Sequence, residues 1–378
     1  MSKLNFHEYM RELEELVNID SGTNDSEGVN RIADFFESRF RAAKFYIERF
    51  SGAGMRLGDC LVITNKPDAA RYDALLVGHM DTVFPKGTAT ARPFCSDGIN
   101  AYGPGVADMK NGTLMIYHTL KELEALDRLS TCAILNPDEE VGSAFSTPII
   151  VERAKRADHA YIMESASASG AHCIQRKGRT SLSLRFTGIA AHSGYVFETP
   201  GASAVTELAR CVLALNELAD LQKGTSVNVG VVQGGTALNI VPEHAFLQVE
   251  FRMWEAGERH RIEQAVSELI SHPFNPDVRV EMVDPPRRKP PMEPSPGTLA
   301  YLERVRRIAD EIGQNFEVKP RGGLSDANHI AEHTSVCVDG LGPRGDLDHG
   351  LDEYTILSSV EECFALMSAL LTDLAGRK

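Results

Sequence analysis

The chain has 378 residues, which is more than one hydrophobic core usually serves, so two domains are expected. Apolar residues make up 43% and charged residues 24%, the balance of an ordinary globular protein. Lys plus Arg total 39 against 53 for Asp plus Glu, a net charge of −14. This charge argues against binding to nucleic acid or to an anionic membrane surface, and it favours solubility.

The sequence also predicts a cytoplasmic location. The first residues lack the apolar core of a secretory signal, and no apolar run approaches the roughly 20 residues of a membrane span. The seven cysteines are odd in number and scattered, without a CxxC pair. Reduced thiols are therefore expected, rather than a disulfide framework or a thiolate zinc site.

The first part of the chain alternates helices with apolar strands. Helical spacing of apolar residues predicts helices at 5–17, 27–43, 112–126 and 147–156, the last with Ser146 as N-cap. Strands are predicted at 60–64, 73–78, 131–135 and 159–163. Strands with so little polar alternation are buried on both faces. The predicted fold is therefore α/β, a mostly parallel sheet with helices on both faces.

The pattern changes near residue 178. Residues 180–187 alternate strictly between polar and apolar, as do 226–232 and, less regularly, 245–253, with helices predicted at 203–221 and 258–271. This α+β insert ends at a proline-rich stretch, 285–291, after which helices and strands alternate again. The predicted organisation is one α/β domain in two parts, 1–177 and 288–378, interrupted by an inserted domain at 178–287.

Acidic and histidine side chains follow several of the predicted strands. The clusters are His79 with Asp81, Asp108 in a glycine-rich loop, the pair Glu139-Glu140, Glu164, and His349 in a later loop. In open α/β sheets, ligands gather at the carboxyl ends of the strands, so residues distant in sequence can converge there. Two imidazoles and several carboxylates without thiolates suit zinc or another divalent ion.

A shared carboxylate could give each of two ions three protein ligands and leave a position for water. A carboxylate outside the metal sites must then move the water's proton, and the pair Glu139-Glu140 suits a division into base and ligand. Each feature alone also has an ordinary structural explanation, because His-x-Asp triplets, glutamate pairs and glycine-rich turns are common. The order of the features and their positions after strands carry the prediction.

With these features the chain resembles the M20 family of dizinc peptidases and deacylases, most closely its glutamate carboxypeptidase (carboxypeptidase G2-like) branch. The resemblance extends over nearly the whole length and rests on seven stretches: Gly78-His79-Met80-Asp81-Thr82-Val83, Tyr102 to Lys110, Asp138-Glu139-Glu140, Ala191-His192-Ser193-Gly194, Gly234 to Pro242, Arg321-Gly322-Gly323-Leu324-Ser325-Asp326, and His349.

The resemblance implies two Zn²⁺ ions per chain, with Co²⁺ or Mn²⁺ as other metals. One ion would be held by His79, Asp108 and Glu164, and the other by Asp108, Glu140 and His349. Glu139 would act as general base and acid. Asp81 would lie behind His79 and fix its tautomer.

The inserted domain would, by the same resemblance, be a lid through which two chains form a homodimer. His192 would reach across the dimer toward the oxyanion. Asn239, Arg252, Gly323 and Ser325 would bind the substrate carboxylate, with Ser325 as the N-cap of a short helix.

A carboxypeptidase acting next to a free carboxylate, on a small molecule or short peptide and possibly releasing glutamate, is the leading interpretation. Glu164 favours it, because aminopeptidase members of the family resemble one another in having aspartate there. An N-acyl amino acid deacylase of the acetylornithine or succinyl-diaminopimelate type is the main alternative. A non-catalytic binding protein that has lost its metals is the third, and the intact ligand positions argue against it.

Overall fold

The structure of the protein, a computed structural model, describes residues 3–377, which form two compact units. The larger unit runs to Gln175 and continues through Met292–Arg321 and from Ser325 onward. The smaller unit comprises Arg176–Pro291 together with Gly322–Leu324. The predicted insert at 178–287 falls within the smaller unit.

Helices account for much of the described chain. Their bounds are α1 (Phe6–Val17), α2 (Ser26–Ala42), α3 (Thr88–Ala91), α4 (Lys110–Glu122), α5 (Thr147–Ala154), α6 (Ala204–Asn216), α7 (Ala256–Ser271), α8 (Pro296–Glu311), α9 (Ala327–Ile330) and α10 (Ser358–Gly376). Asp25 and Ser203 cap α2 and α6 by accepting backbone N–H groups of the first turn. Ser146 occupies the N-cap position of α5, but its hydroxyl donates to Asp138 instead of accepting from the helix.

The strands are β1 (Tyr46–Phe50), β2 (Cys60–Thr64), β3 (Tyr72–His79), β4 (Cys95–Ser96), β5 (Asn100–Tyr102), β6 (Thr131–Asn136), β7 (Ala157–Ile162), β8 (Ser165–Ser167), β9 (Ala171–His172), β10 (Gly178–Thr187), β11 (Ser226–Gly234), β12 (His244–Met253), β13 (Arg279–Met282), β14 (Arg287–Lys289), β15 (Glu317–Val318), β16 (Val336–Val338), β17 (Gly342–Asp346) and β18 (Tyr354–Ile356).

A six-stranded sheet forms the centre of the larger unit. Its strand order is β1-β2-β6-β3-β7-β16. The four strands from β6 to β16 run parallel to one another, whereas β2 is antiparallel to both β1 and β6. The mostly parallel sheet is therefore confirmed.

Both faces of this sheet are buried. Alternate residues of each strand belong to different apolar clusters, as Leu76 and Leu135 do on one face and Val77 and Ile134 on the other. Residues of α1, α2, α4, α8 and α10 cover the first face, and residues of α5 and α9 cover the second. Side chains of a strand point alternately to opposite faces, so a strand covered on both sides must be apolar throughout.

A second sheet of the larger unit was not predicted. Its order is β4-β5-β18-β17-β8, built from strands of two to five residues. The two-stranded sheet β15-β9 was also missed. Strands this short leave no periodic pattern in the sequence.

The smaller unit contains an antiparallel sheet in the order β11-β12-β10-β13, with β14 also paired to β10. Along β10, Leu182, Leu184 and Phe186 are buried and the residues between them are not. The buried side chains pack with residues of α6 and α7, so the helices cover one face of the sheet. The strict alternation of 180–187 reflects this one-sided burial.

The seven cysteines are free thiols, and all but Cys95 are buried. Within residues 3–377, no helix combines the length and apolar character needed to cross a membrane.

Candidate metal centre

Three neighbouring strands bring acidic and imidazole side chains to one edge of the six-stranded sheet. His79 is the last residue of β3, and Glu164 follows the end of β7. Glu139 and Glu140 lie in a single 3-10 turn, Glu139–Val141, just after β6. Because β6, β3 and β7 are adjacent and parallel, their carboxyl ends meet at the same edge.

Two loops complete the group. Asp108 lies just before α4, and His349 lies between β17 and β18. His349 has a left-handed backbone, with φ 65°. Strand β17 lies between β16 and the His349 loop, so His349 does not directly follow a strand of the six-stranded sheet.

The first cluster consists of His79, Asp108 and Glu164, whose ligand atoms lie within 4.8 Å of one another. His79 Nε2 is 3.0 Å from Asp108 Oδ1 and 3.8 Å from Glu164 Oε1. The His79 side chain is only 1% exposed. The cluster therefore lies at the buried end of the centre.

The second cluster consists of Asp108, Glu140 and His349, again within 4.8 Å. His349 Nε2 is 3.1 Å from Asp108 Oδ2 and 3.3 Å from Glu140 Oε2. The two oxygens of Asp108 thus face different clusters, Oδ1 toward His79 and Oδ2 toward His349. His349 is 56% exposed, so this side of the centre is open to solvent.

The electrostatics of these side chains reflect crowded carboxylates. Burial and the negative charge of Asp108 raise the pKa of Glu164 well above its usual value, and the same two causes raise the pKa of Glu140. Although burial opposes it, hydrogen bonds from His349 and His79 hold the pKa of Asp108 below its usual value. Contacts with Asp108 and Glu140 raise the pKa of His349 to about 11. A cation between the carboxylates would relieve this repulsion.

The donor set fits a divalent metal. Glu140 Oε1 is buried and has no hydrogen-bond partner among the described residues. A buried polar atom of this kind is costly unless something coordinates it. Imidazole nitrogens and carboxylate oxygens without sulfur suit zinc and related ions. His79, Asp108, Glu140, Glu164 and His349 are therefore able to hold metal.

Asp81 supports the centre from behind and is fully buried. His79 Nδ1 is 2.9 Å from the Asp81 backbone carbonyl and 3.3 Å from its carboxylate. The carboxylate accepts the backbone N–H groups of Glu139 and Glu140, at 3.1 and 3.2 Å. Asp81 therefore orients the turn that carries both glutamates, in addition to contacting His79.

Thr23 was missed by the sequence analysis. Its buried hydroxyl donates to Asp81 Oδ2 at 2.6 Å. A threonine between Gly22 and Asn24 looks like an ordinary turn residue, so no local signal identifies it.

Glu139 belongs to neither metal cluster, although it is adjacent to Glu140. Its backbone is fixed by the bond to Asp81. A carboxylate that adjoins a metal-binding cluster without belonging to it is suited to transferring protons.

His192 lies in the smaller unit, on an exposed segment that follows β10. Its Nδ1 accepts the backbone N–H of Gly194 at 3.1 Å, which leaves the proton of the neutral ring on Nε2 as a donor. His192 is bridged to Ile240, and the Ser193 N–H donates to the Asn239 carbonyl at 3.0 Å. His192 and Asn239 therefore sit on adjoining segments of the smaller unit.

The other residues predicted to bind substrate differ in exposure and in the hydrogen bonds that they already make within the protein. Arg252 on β12 donates to Glu250 at 2.7 Å, and Gly323 is exposed, with its carbonyl accepting from Arg176. Ser325 is fully buried: its hydroxyl donates to Asp339 at 2.6 Å and accepts from the Ala327 N–H. Its hydroxyl is thus engaged within the protein.

The prediction that Ser325 is the N-cap of the short helix is wrong. The N-cap of α9 is Asp326, not Ser325, and the helix has only four residues. One helical turn aligns too few peptide dipoles to attract an anion in the way that a longer helix does.

Known hydrolases are similar to this chain in sequence. Residues 75–373 match the family model for peptidase family M20/M25/M40. Carboxypeptidase G2 of Pseudomonas sp. (strain RS-16) is 30% identical over 375 residues, which cover 98% of this chain and 90% of that protein. Acetylornithine deacetylase of Myxococcus xanthus is 27% identical over 91% of this chain and 92% of that protein.

Among solved structures, aminopeptidase PepT from Bacillus cereus superposes with a TM-score of 0.80 at 22% identity, covering 98% of this chain and 99% of that one. That similarity concerns the fold, and the sequence match carries the family assignment. The matched range includes all five metal-cluster residues, and the enzymes of this family are metal-dependent hydrolases. The chain belongs to the M20 peptidase family.

Proposed function

We propose that the protein is a two-zinc carboxypeptidase that cleaves an amide bond next to a free C-terminal carboxylate and releases an amino acid such as glutamate. The observation that carries the proposal is the position of Asp108, whose two oxygens face two separate ligand clusters. Two zinc ions there would activate a water molecule and polarise the scissile carbonyl. Cobalt or manganese also suits this set of ligands.

The chain's own residues then have distinct roles. Glu139 takes a proton from the attacking water and passes it to the leaving nitrogen. His79, Asp108 and Glu164 would hold one ion, and Asp108, Glu140 and His349 would hold the other. Asp81 and Thr23 keep the Glu139-Glu140 turn in place.

We assign binding of the substrate carboxylate to residues of the smaller unit. Asn239 and Arg252 offer an amide and a guanidinium for it, and the exposed backbone at Gly323 offers a further polar contact. The Ser325 hydroxyl is not part of this assignment, because it is buried against Asp339.

A cavity beside the metal clusters favours a carboxypeptidase over an acetyl-specific deacylase. It has a volume of about 520 Å³, and its lining combines Glu140, Val83, Phe84 and Val141 with the polar side chains of Asn24, Asp25 and Lys86. Val83 and Val141 are 42% and 56% exposed, so apolar surface lies next to Glu140. Cavities of this size accommodate ligands much larger than an acetyl group. The cavity thus suits an aminoacyl or aromatic acyl group.

A deacylase remains the second candidate, supported by the similarity to acetylornithine deacetylase. Zinc-loaded protein should be given X-Glu dipeptides, aromatic N-acyl glutamates and N-acetylglutamate, with free glutamate measured by chromatography. We expect kcat/KM for glutamate release to be higher with the first two groups of substrates than with N-acetylglutamate. The matched control substrates carry an α-carboxamide in place of the α-carboxylate and should not be cleaved. Equal cleavage of the α-carboxylate and α-carboxamide substrates would show that the enzyme does not recognise a free carboxylate.

We further propose that the active unit is a homodimer formed through the smaller unit. Strand β11 is an edge strand of its sheet, and its Val232 is 54% exposed. An exposed apolar edge is suited to pairing with a second copy. His192, with a donor at Nε2, would act on the oxyanion of the partner chain's substrate.

Mixing two inactive variants tests this arrangement. His192→Ala and Glu139→Gln are combined under conditions that exchange subunits. Each mixed dimer should contain one complete site, so activity should return to about a quarter of the wild-type level. The separate variants, treated identically, are the control. Verified exchange without recovered activity would show that His192 does not act across a dimer.

A further inference from the structure

Glu353 is a buried carboxylate that none of the assignments above uses. It lies four residues after His349 and has no exposed surface. Its Oε1 accepts the backbone N–H groups of Ala107 and Asp108 at 2.9 and 3.0 Å, and its Oε2 accepts that of Gly105 at 2.9 Å. All three donors belong to the loop that carries Asp108.

This loop has no regular strand or helix ladder to fix it before α4 begins. Gly105 has a left-handed backbone, with φ 74°, and a Cβ there would lie 2.6 Å from Thr82 Cγ2. The turn directs three N–H groups toward one point, where they meet the Glu353 carboxyl group. Without Glu353, these donors would lose their acceptor in a buried environment, which is costly.

The segment that carries Glu353 is itself fixed against the same region. Tyr354, the first residue of β18, pairs with Tyr102 of β5, immediately before the Asp108 loop. Arg92 donates to the backbone carbonyls of Gly350 and Leu351, next to His349. The stretch from His349 to Tyr354 is therefore held in register with the stretch from Tyr102 to Asp108.

We infer that Glu353 is a positioning residue for the metal pair, which fixes the bridging carboxylate of Asp108 relative to His349. The inference rests on the proposed metal pair. Glu353 accepts the backbone N–H of Asp108 and lies four residues after His349 in the chain. One side chain therefore fixes the positions of two metal ligands, relative to each other, that are distant in sequence. Rotation of the Asp108 loop would turn Oδ1 away from His79 and Oδ2 away from His349, and both ions would be affected.

The test is Glu353→Gln, which keeps the shape but replaces one acceptor oxygen with an NH₂ group that faces a backbone N–H. Metal affinity is measured on the full chain by competition between the metal-free protein and a chromogenic zinc chelator. Loss of partners behind metal ligands costs other proteins about 10–100-fold in affinity, and we expect a loss of that size for both ions. At saturating zinc, kcat should fall while KM changes little, because the substrate contacts are elsewhere.

Glu207→Gln is the matched control. Glu207 is a buried glutamate in the smaller unit that accepts the backbone N–H groups of Phe274 and Asn275 at 2.7 and 2.9 Å. Its loss should lower the melting temperature without changing zinc affinity. Glu353→Asp keeps the charge with a shorter reach, and it should lose less zinc affinity than Glu353→Gln while remaining folded.

The outcomes are distinct. If Glu353→Gln and Glu353→Asp bind both ions as tightly as the wild type, Glu353 supports only the fold, and the inference is wrong. If the wild-type protein itself binds no pair of ions, the proposed function fails first. A loss of both ions in Glu353→Gln, with zinc binding intact in Glu207→Gln, supports the positioning role.

Discussion

Replacing Glu139 with glutamine should lower turnover by about 10²-fold or more while metal content stays at the wild-type level. The amide keeps the size of the side chain and its place in the turn after β6, but it cannot accept a proton from water. Glu139 lies outside both ligand clusters, so the ions should not be released. Metal analysis and steady-state kinetics on the same preparation measure both effects.

Glu140→Gln is the matched control, because it makes the same substitution one residue along the same turn. Glu140 belongs to the second cluster, with Oε2 3.3 Å from His349 Nε2. Its loss should weaken the binding of one ion. A Glu139→Gln variant that keeps most of its activity would assign the proton transfer to another group.

Asp108→Ala should weaken both metal sites at once, reducing the content from about two ions per chain to less than one. The physical reason is that Oδ1 faces His79 and Oδ2 faces His349, so a single carboxylate serves both clusters. Metal analysis after gel filtration, together with zinc titration, measures the loss. Activity should fall to the background at limiting zinc.

Glu164→Ala provides the comparison. Glu164 belongs only to the cluster of His79 and Asp108. Its removal should therefore reduce the binding of one ion and leave the other in place. An Asp108→Ala protein with one fully occupied site would remove the bridging assignment.

The central sheet was predictable because its strands are buried on both faces. Residues 60–64, 73–78, 131–135 and 159–163 read as apolar runs, and they correspond to β2, β3, β6 and β7. The order of polar residues after these strands then indicated where side chains would converge. Strand polarity makes such convergence a property of the fold, so it can be inferred without coordinates.

Other features depend on contacts between distant segments. Strands β5 and β8 have three residues each, and they pair with β18 and β17, which come much later in the chain. Strand β1 at the sheet edge mixes charged and apolar residues, so its pattern gave no prediction. The predicted helix 112–126 ends earlier, at Glu122, because the backbone of Leu123 is extended, with ψ 106°.

The candidate metal centre was also predictable only in part. Metal-ligand types are visible in the sequence, but the residues behind them are not. Glu353 is one of several acidic residues near His349, together with Asp346, Asp348 and Asp352. Nothing local distinguishes the one that accepts three backbone N–H groups of a loop some 245 residues earlier. Ser325 shows the reverse, since a suggestive position in sequence proved to be buried against Asp339.

We propose that a single carboxylate, Asp108, joins two metal ions in one centre. Anomalous X-ray diffraction from zinc-loaded crystals, recorded above and below the zinc edge, tests it most directly. Two peaks are predicted, roughly 3.5–4 Å apart. One should lie between Asp108 Oδ1, His79 and Glu164, and the other between Asp108 Oδ2, Glu140 and His349. A single peak, or two peaks without Asp108 between them, would show that Asp108 does not bridge two ions.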